Sequence, residues 1–149
     1  MSHLHIIRDL NDPLIELIRD DPVRPDIPIE FRVNGDQGEV FVLLEDQYLK
    51  PQAVVCVAYK DSVPKDQVEL ARVSSSAIEV AVFYTIWSYV PGAGRRLIQS
   101  AVNHLRVERK YLNKFVTLSP PTDMARVFHL RNGACVLSVN SDTVNYIYS

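Results

Sequence analysis

Two glycines near the middle of the chain have the spacing of an anion-binding loop. The stretch VPGAG, which contains Gly92 and Gly94, follows a run of β-branched and aromatic residues and precedes a segment of helical periodicity. Glycines between a strand and a helix let backbone N–H groups turn toward one point, and the helix N-terminus adds partial positive charge. The sequence therefore predicts an anion site, to which we assign Val90, Pro91, Gly92, Ala93, Gly94, Arg95 and Arg96.

Arg95 and Arg96 lie in the first turn of the predicted helix. Cations at a helix N-terminus oppose the helix dipole by roughly 0.3–1 kcal/mol each, so a purely structural role would favour acidic residues there. A bound phosphate would make the two arginines favourable. The alternative is that both lie on a solvated face and that the helix tolerates the small penalty.

The elements around the loop follow from residue periodicity. An unbroken apolar run at residues 77–87 predicts a strand that is buried on both faces. After the loop, apolar residues recur at helical spacing, at Leu97, Ile98, Ala101, Val102 and Leu105. The stretch KFVTLSPP then predicts a second strand, and TDMARVFHLRNGA predicts a short helix. Together they form a βαβ unit.

The flanking segments predict an antiparallel sheet. Residues 3–8 are compatible with a short strand, and Asp12 followed by Pro13 begins a brief helix. Three further strands are expected from IEFRV, GEVFVLLED and AVVCVAYKD, and two more at residues 134–139 and 144–148. The fold class is therefore α+β, a mixed and mostly antiparallel sheet flanked by helices. A single domain over residues 1–149 fits this length.

Composition excludes several classes of protein. The 149 residues are 47% hydrophobic and carry a net charge of −2, without the basic face that a nucleic-acid-binding protein needs. No run approaches the ~18 apolar residues of a membrane span, and no signal segment is apparent, so we expect a cytoplasmic protein with no membrane partner. Cys56 and Cys135 lie in apolar runs and are expected to be buried free thiols. No metal-ligand spacing occurs, so no metal is expected.

The order of strand, glycine loop and helix resembles the acyl-CoA N-acyltransferase (GNAT) fold. Both glycines of its Gly-x-Gly loop pattern are present, although Tyr89 stands where the pattern has Gln or Arg. A more specific resemblance is to the catalytic domain of malonyl-CoA decarboxylase, which has close counterparts, in the same order, of AVFYTI, KFVTLSP, FHLRNGA and VNYIY. This similarity covers residues 48–148, and FHLRNGA is its most specific part.

The resemblance implies an acyl-CoA ligand and two catalytic residues. The decarboxylase serine in Leu-Ser-Pro corresponds to Ser119, and its histidine in Phe-His-Leu corresponds to His129. The pyrophosphate of CoA would lie at residues 90–96. This sequence has no counterpart of the decarboxylase's long N-terminal helical domain, and its segment between NGACVL and VNYIY is several residues shorter.

The chemistry of decarboxylation suits these residue types. Loss of CO2 from a malonyl thioester places negative charge on the thioester oxygen, which oriented N–H or O–H donors stabilise, and the carbanion then takes up a proton. An imidazole with a pKa near ~6.5 can donate that proton at neutral pH. The structural alternative is that Ser119 caps the following helix and that His129 is a hydrogen-bonded core residue.

Three functions therefore remain open from the sequence. The first is a malonyl-CoA decarboxylase-like lyase, which the TLSP and FHLRNGA motifs favour. The second is an N-acyltransferase that moves an acetyl group from acetyl-CoA to an amine, which the fold and loop favour. The third is a CoA-binding module without catalysis. A homodimer is left open.

Overall fold

The computed structural model describes residues 1–149. Seven strands form one sheet: β1 (Ser2–Ile7), β2 (Gly38–Glu45), β3 (Pro51–Lys60), β4 (Val80–Ser88), β5 (Lys114–Thr117), β6 (Cys135–Val139) and β7 (Val144–Tyr148). Four α-helices accompany them: α1 (Ile29–Arg32), α2 (Gln67–Ala71), α3 (Ala93–Glu108) and α4 (Asp123–Arg131). Two 3-10 helices lie at Pro13–Asp20 and Gly35–Gln37.

The spatial order of the strands is β1-β2-β3-β4-β5-β7-β6. Every neighbouring pair is antiparallel except β4 and β5, which are parallel because α3 crosses over between them. The predicted βαβ unit and the mostly antiparallel α+β sheet are confirmed. The apolar side of α3 packs on one face of the sheet, and the N-terminal segments cover the other.

The stretch IEFRV is not the predicted strand. Residues Ile29–Arg32 form one turn of α-helix after Pro28, and the outer strand beside β2 is β1. The reason is tertiary: the Arg32 guanidinium is buried against Asp21 with an Nη1–Oδ2 distance of 2.6 Å. This buried ion pair holds the segment against the sheet and outweighs the weak β-propensity of the sequence.

The two thiols lie in different environments. Cys56, on β3, is buried as expected, and burial raises the pKa of its thiol to about 12. The prediction for Cys135 is wrong, because its side chain is exposed. Cys135 begins β6, which is an edge strand that pairs only with β7 and leaves most of its side chains uncovered.

None of the helices has the length and apolar character that crossing a bilayer would require.

Candidate functional site

The glycine loop, defined as residues 90–96, presents unpaired backbone donors. Gly92 caps the N-terminus of α3 in the left-handed conformation, with φ of 79°. The N–H groups of Gly92, Gly94 and Arg95 donate to no acceptor in the structure, and no side chain caps the helix. Free N–H groups at the positive end of a 16-residue helix are the kind of geometry that can bind an anion. The geometry thus has the features that the sequence predicted for this loop.

Gly94 has a second role that is independent of any ligand. A Cβ at this position would lie 2.9 Å from the Ser88 Oγ and 3.2 Å from a ring carbon of Phe128. The absence of a side chain therefore lets the first turn of α3 pack closely against the end of β4 and against α4. At Gly92, in contrast, a Cβ would meet only the Arg96 Nη1, at 3.6 Å.

An open cavity of about 660 Å³, here called the loop cavity, lies over the glycine loop. Its charged lining residues are Arg95, Arg131 and Asp123, so the lining carries a net charge of +1. Arg96 is not part of the lining and instead donates from Nη2 to the Gln52 Oε1 at 3.4 Å. Of the two predicted arginines, Arg95 lines the loop cavity, whereas the Arg96 guanidinium lies beside Gly92 at its edge.

A second cavity, here called the strand cavity, opens where β4 and β5 separate. The two strands pair from Val80↔Lys114 to Phe83↔Thr117, after which β4 continues to Ser88 paired only with β3. The space between them has a volume of about 340 Å³ and is lined mainly by apolar side chains, including Trp87. It shares Ser88, Met124 and Phe128 with the loop cavity, so the two adjoin.

A β-bulge shapes the wall of the strand cavity. Thr85 pairs with Cys56 and Phe83 with Val57, so Tyr84 is an extra residue on β4. A bulge turns successive side chains toward the same face and bends the strand. It occurs beside the point where β4 leaves β5.

Ser119 lines the strand cavity from the end of β5. Its backbone forms two hydrogen bonds with Val144 on β7, and its Oγ donates to the Thr117 Oγ1 at 2.8 Å. It does not cap α4, since that cap is the Thr122 hydroxyl, which accepts from the Ala125 N–H at 3.2 Å. The capping alternative for Ser119 is therefore excluded.

His129 lines the same cavity from the last turns of α4 and is 4% exposed. Its Nδ1 lies 2.7 Å from the Tyr148 hydroxyl, and its ring stacks on Tyr146 with centroids 5.0 Å apart. Its Nε2 has no hydrogen-bond partner in the structure. Ser119 and His129 are thus not hydrogen-bonded to each other, but both border one small space.

Burial lowers the pKa of His129 to about 4. The expectation of an imidazole that titrates near ~6.5 is therefore wrong for this site, because no carboxylate offsets the loss of solvation. At neutral pH the ring is uncharged. It can accept a proton or donate a hydrogen bond, but it does not begin a reaction as imidazolium.

This pKa predicts how stability depends on pH. Between pH 4 and 6.5 the unfolded chain binds a proton at His129 that the folded protein does not, so unfolding becomes easier as pH falls through this window. The resulting loss in the free energy of unfolding is on the order of 3 kcal/mol. It is absent above pH 6.5 and complete below about pH 4. Urea unfolding should show that the free energy of unfolding of wild type is lower at pH 4.5 than at pH 7. The decrease should be smaller in His129→Gln. Equal losses in both proteins would contradict the low pKa.

Several residues at the site had no clear signal in the sequence. Arg131 follows His129 in the FHLRNGA motif, yet nothing in its spacing indicated that it borders the glycine loop. Asp21, Arg24 and Arg32 surround a proline-rich connection that looked like an irregular link. The only available signal was charge, since DDPVRPDIP places four charged residues in a short segment.

Comparison with known proteins identifies the fold. No protein-family model matches the chain, and no curated protein matches it significantly. Among solved structures, malonyl-CoA decarboxylase from Agrobacterium vitis is 26% identical, with a TM-score of 0.69, over 85% of this chain and 35% of that one. Malonyl-CoA decarboxylase from Cupriavidus metallidurans is 18% identical, with a TM-score of 0.75, over 99% of this chain and 60% of that one.

An acetyltransferase from Bacillus subtilis, solved in complex with CoA, matches over 100% of this chain and 99% of its own. The identity is 10% and the TM-score is 0.65. The chain therefore has the GNAT fold. It is also similar to malonyl-CoA decarboxylases, as the motifs predicted, and it spans between 35% and 60% of the two decarboxylase chains.

Proposed function

We propose that this protein, as one domain over residues 1–149, binds acyl-CoA and decarboxylates malonyl-CoA to acetyl-CoA and CO2. The observation that carries the proposal is that the glycine loop adjoins the strand cavity, which both Ser119 and His129 line. A pyrophosphate at the loop would direct the pantetheine arm along the space between the diverging strands. The CoA complex of the structural neighbour from Bacillus subtilis supports this choice of ligand.

The uncharged His129 suits stabilisation of an enolate. In the proposal, the Tyr148 hydroxyl donates to Nδ1, so the ring hydrogen lies on Nε2, and burial raises the pKa of Tyr148 and keeps that hydroxyl protonated. The Nε2–H then donates to the thioester oxygen as negative charge develops on it. A neutral donor avoids placing a cation in an apolar cavity.

Ser119 supplies the second contact. Its hydroxyl turns from Thr117 to hold the malonyl carboxylate. When the carbon–carbon bond breaks, CO2 leaves and the electron pair remains on the enolate. A proton from water, relayed through the hydroxyl, then completes the methyl group of acetyl-CoA.

The second candidate is an N-acyltransferase, which the GNAT fold favours. One experiment separates it from decarboxylation: incubation with malonyl-CoA and, separately, with acetyl-CoA and a panel of amines, followed by chromatography. We expect acetyl-CoA to form from malonyl-CoA. Acylated amine without decarboxylation would support the second candidate, and binding of CoA without either reaction would support a CoA-binding module without catalysis.

The two loop arginines provide a test of the proposed pyrophosphate site. Arg95→Glu should weaken CoA binding by about tenfold or more, because it places a negative charge in the lining of the loop cavity. Arg96→Glu is the matched control, with the same charge change one residue away and outside that lining. It should weaken binding less, and both unliganded variants should be at least as stable as wild type, since acidic residues suit a first helical turn. Equal losses of affinity by calorimetry would contradict the assignment of Arg95.

A further inference from the structure

Arg24 lies at the point where β4 and β5 separate. Its Nε donates to the carbonyl oxygen of Tyr84 at 3.0 Å, and its Nη2 donates to the carbonyl oxygen of Leu118 at 2.8 Å. The last backbone hydrogen bond between the two strands runs from the Leu118 N–H to the Phe83 carbonyl. A single guanidinium therefore continues the connection between the strands after the backbone ladder has ended.

The two carbonyl groups need such a partner. Tyr84 is the extra residue of the bulge, so it has no partner in the register with β3, and Leu118 lies just beyond the end of β5. Both residues are buried. A buried carbonyl without a donor costs free energy comparable to a lost hydrogen bond. Strand separation is thus stabilised by a donor from outside the sheet.

The shape of the arginine side chain matters more here than an ion pair. No carboxylate lies within ion-pair distance of its guanidinium, and its third contact is with the neutral Oε1 of Gln67, at 3.1 Å. Burial lowers the pKa of Arg24, and the more distant carboxylates of Asp21 and Asp142 offset this only in part. A planar fork of N–H groups can reach two carbonyls at once, whereas an ammonium group is a single point of donation.

The backbone of Arg24 is itself fixed by buried groups. The Asp21 Oδ1 accepts from the Arg24 N–H at 3.0 Å and from the Thr85 hydroxyl at 2.8 Å. The Arg32 Nη2 donates to the Arg24 carbonyl at 2.6 Å. The side chain is therefore presented to the strands from a rigid support.

We propose that Arg24 is a positioning residue that keeps β4 and β5 apart and so holds the strand cavity open for the acyl-pantetheine arm of CoA. The proposal rests on the proposed function for the identity of the ligand. Pro22, Val23, Tyr84 and Leu118 line the cavity, but Arg24 does not. It therefore acts through the strand carbonyls and makes no contact with the ligand.

The test compares two ligands and three variants. The ligands are CoA and 3′-phospho-ADP, which retains the pyrophosphate and lacks the pantetheine arm. Arg24→Met should weaken CoA binding by about tenfold or more while leaving 3′-phospho-ADP within about threefold of wild type, because only the arm enters the strand cavity. Arg24→Lys should behave like Arg24→Met. Gln67→Ala, which removes only the exposed contact of Arg24, should behave like wild type in calorimetry.

A second measurement needs no ligand. In the unliganded Arg24→Met protein, the rate of amide hydrogen exchange in peptides covering residues 84–88 and 117–119 should differ from that of wild type. In Gln67→Ala, the rate in the same peptides should equal that of wild type. If wild type binds neither ligand, the proposed function fails, and the exchange result still decides whether Arg24 holds the strands. Unchanged exchange in Arg24→Met overturns the inference. So does full recovery of CoA binding in Arg24→Lys, or an equal loss of both ligands in a folded Arg24→Met.

Discussion

Replacing His129 with glutamine is expected to reduce turnover of malonyl-CoA by about 10²- to 10⁴-fold, the range for loss of a positioned proton-transfer or donor group. Affinity for CoA should stay within about threefold, because the proposed pyrophosphate site lies at the glycine loop and not at His129. Glutamine is preferred to alanine because His129 packs against Phe128 and Tyr146, and a cavity at this position would destabilise the fold. Steady-state kinetics and calorimetry measure the two quantities.

Companion variants distinguish catalysis from packing. Ser119→Ala should lose turnover to a similar degree, and the double variant should cost little more than the worse single one, since groups that act together are non-additive. Tyr148→Phe keeps an aromatic ring while removing the hydroxyl at His129 Nδ1, so it should lose less turnover than His129→Gln. If a folded His129→Gln protein retains wild-type turnover, His129 is a core residue and the catalytic assignment is wrong.

The pH profile gives an independent check on His129. Because the pKa of its buried ring is about 4, the uncharged form persists well below neutral pH. Activity that requires this form should fall only as pH drops through about 4. A decline centred near ~6.5, the ordinary value for histidine, would contradict the neutral-donor role.

Gly92→Asp should weaken CoA binding by about 10- to 100-fold. A Cβ at this position would lie 3.6 Å from the Arg96 Nη1, so the added carboxylate would stand beside the glycine loop and partly neutralise that guanidinium. It would also repel a pyrophosphate bound at the loop, since like charges about 4 Å apart repel by about 1–4 kcal/mol. The affinity for CoA, measured by calorimetry at low salt, is the quantity to compare.

Gly92→Asn is the matched control for this substitution. Asparagine and aspartate have nearly the same shape, and both tolerate the left-handed conformation that Gly92 adopts. The difference between the two variants therefore isolates charge from backbone strain. Gly94 is not suitable for such a comparison of charge, because any side chain at that position would collide with Ser88 and Phe128. Equal affinities in the aspartate and asparagine variants would place the pyrophosphate elsewhere.

Sequence periodicity predicted the elements that carry a strong local pattern. β4, the glycine loop and α3 lie where the apolar run, the glycines and the helical spacing placed them. Residues Ile29–Arg32 form a helical turn, although their β-branched and aromatic side chains predict a strand. The conformation depends on the buried ion pair that Arg32 forms with Asp21, which lies 11 residues earlier in the sequence. Local propensity does not include such a contact.

The candidate site was predictable only in part. Motif resemblance pointed to Ser119 and His129, and the structure places both beside one cavity, although their catalytic roles stay a prediction. The low pKa of His129 and the bridging by Arg24 were not predictable. Both depend on which strands diverge and on what covers them, and that is a property of the assembled sheet.

Decarboxylation in deuterated water tests the central claim most directly. Wild-type protein with malonyl-CoA labelled at the free carboxylate should release labelled CO2 and yield an equal amount of acetyl-CoA whose methyl group carries one deuterium from solvent, as read by mass spectrometry. This is the result expected if carbon–carbon cleavage at Ser119 and His129 leaves an enolate that solvent protonates. Recovery of unchanged malonyl-CoA, or release of free CoA and malonate without labelled CO2, would contradict the account.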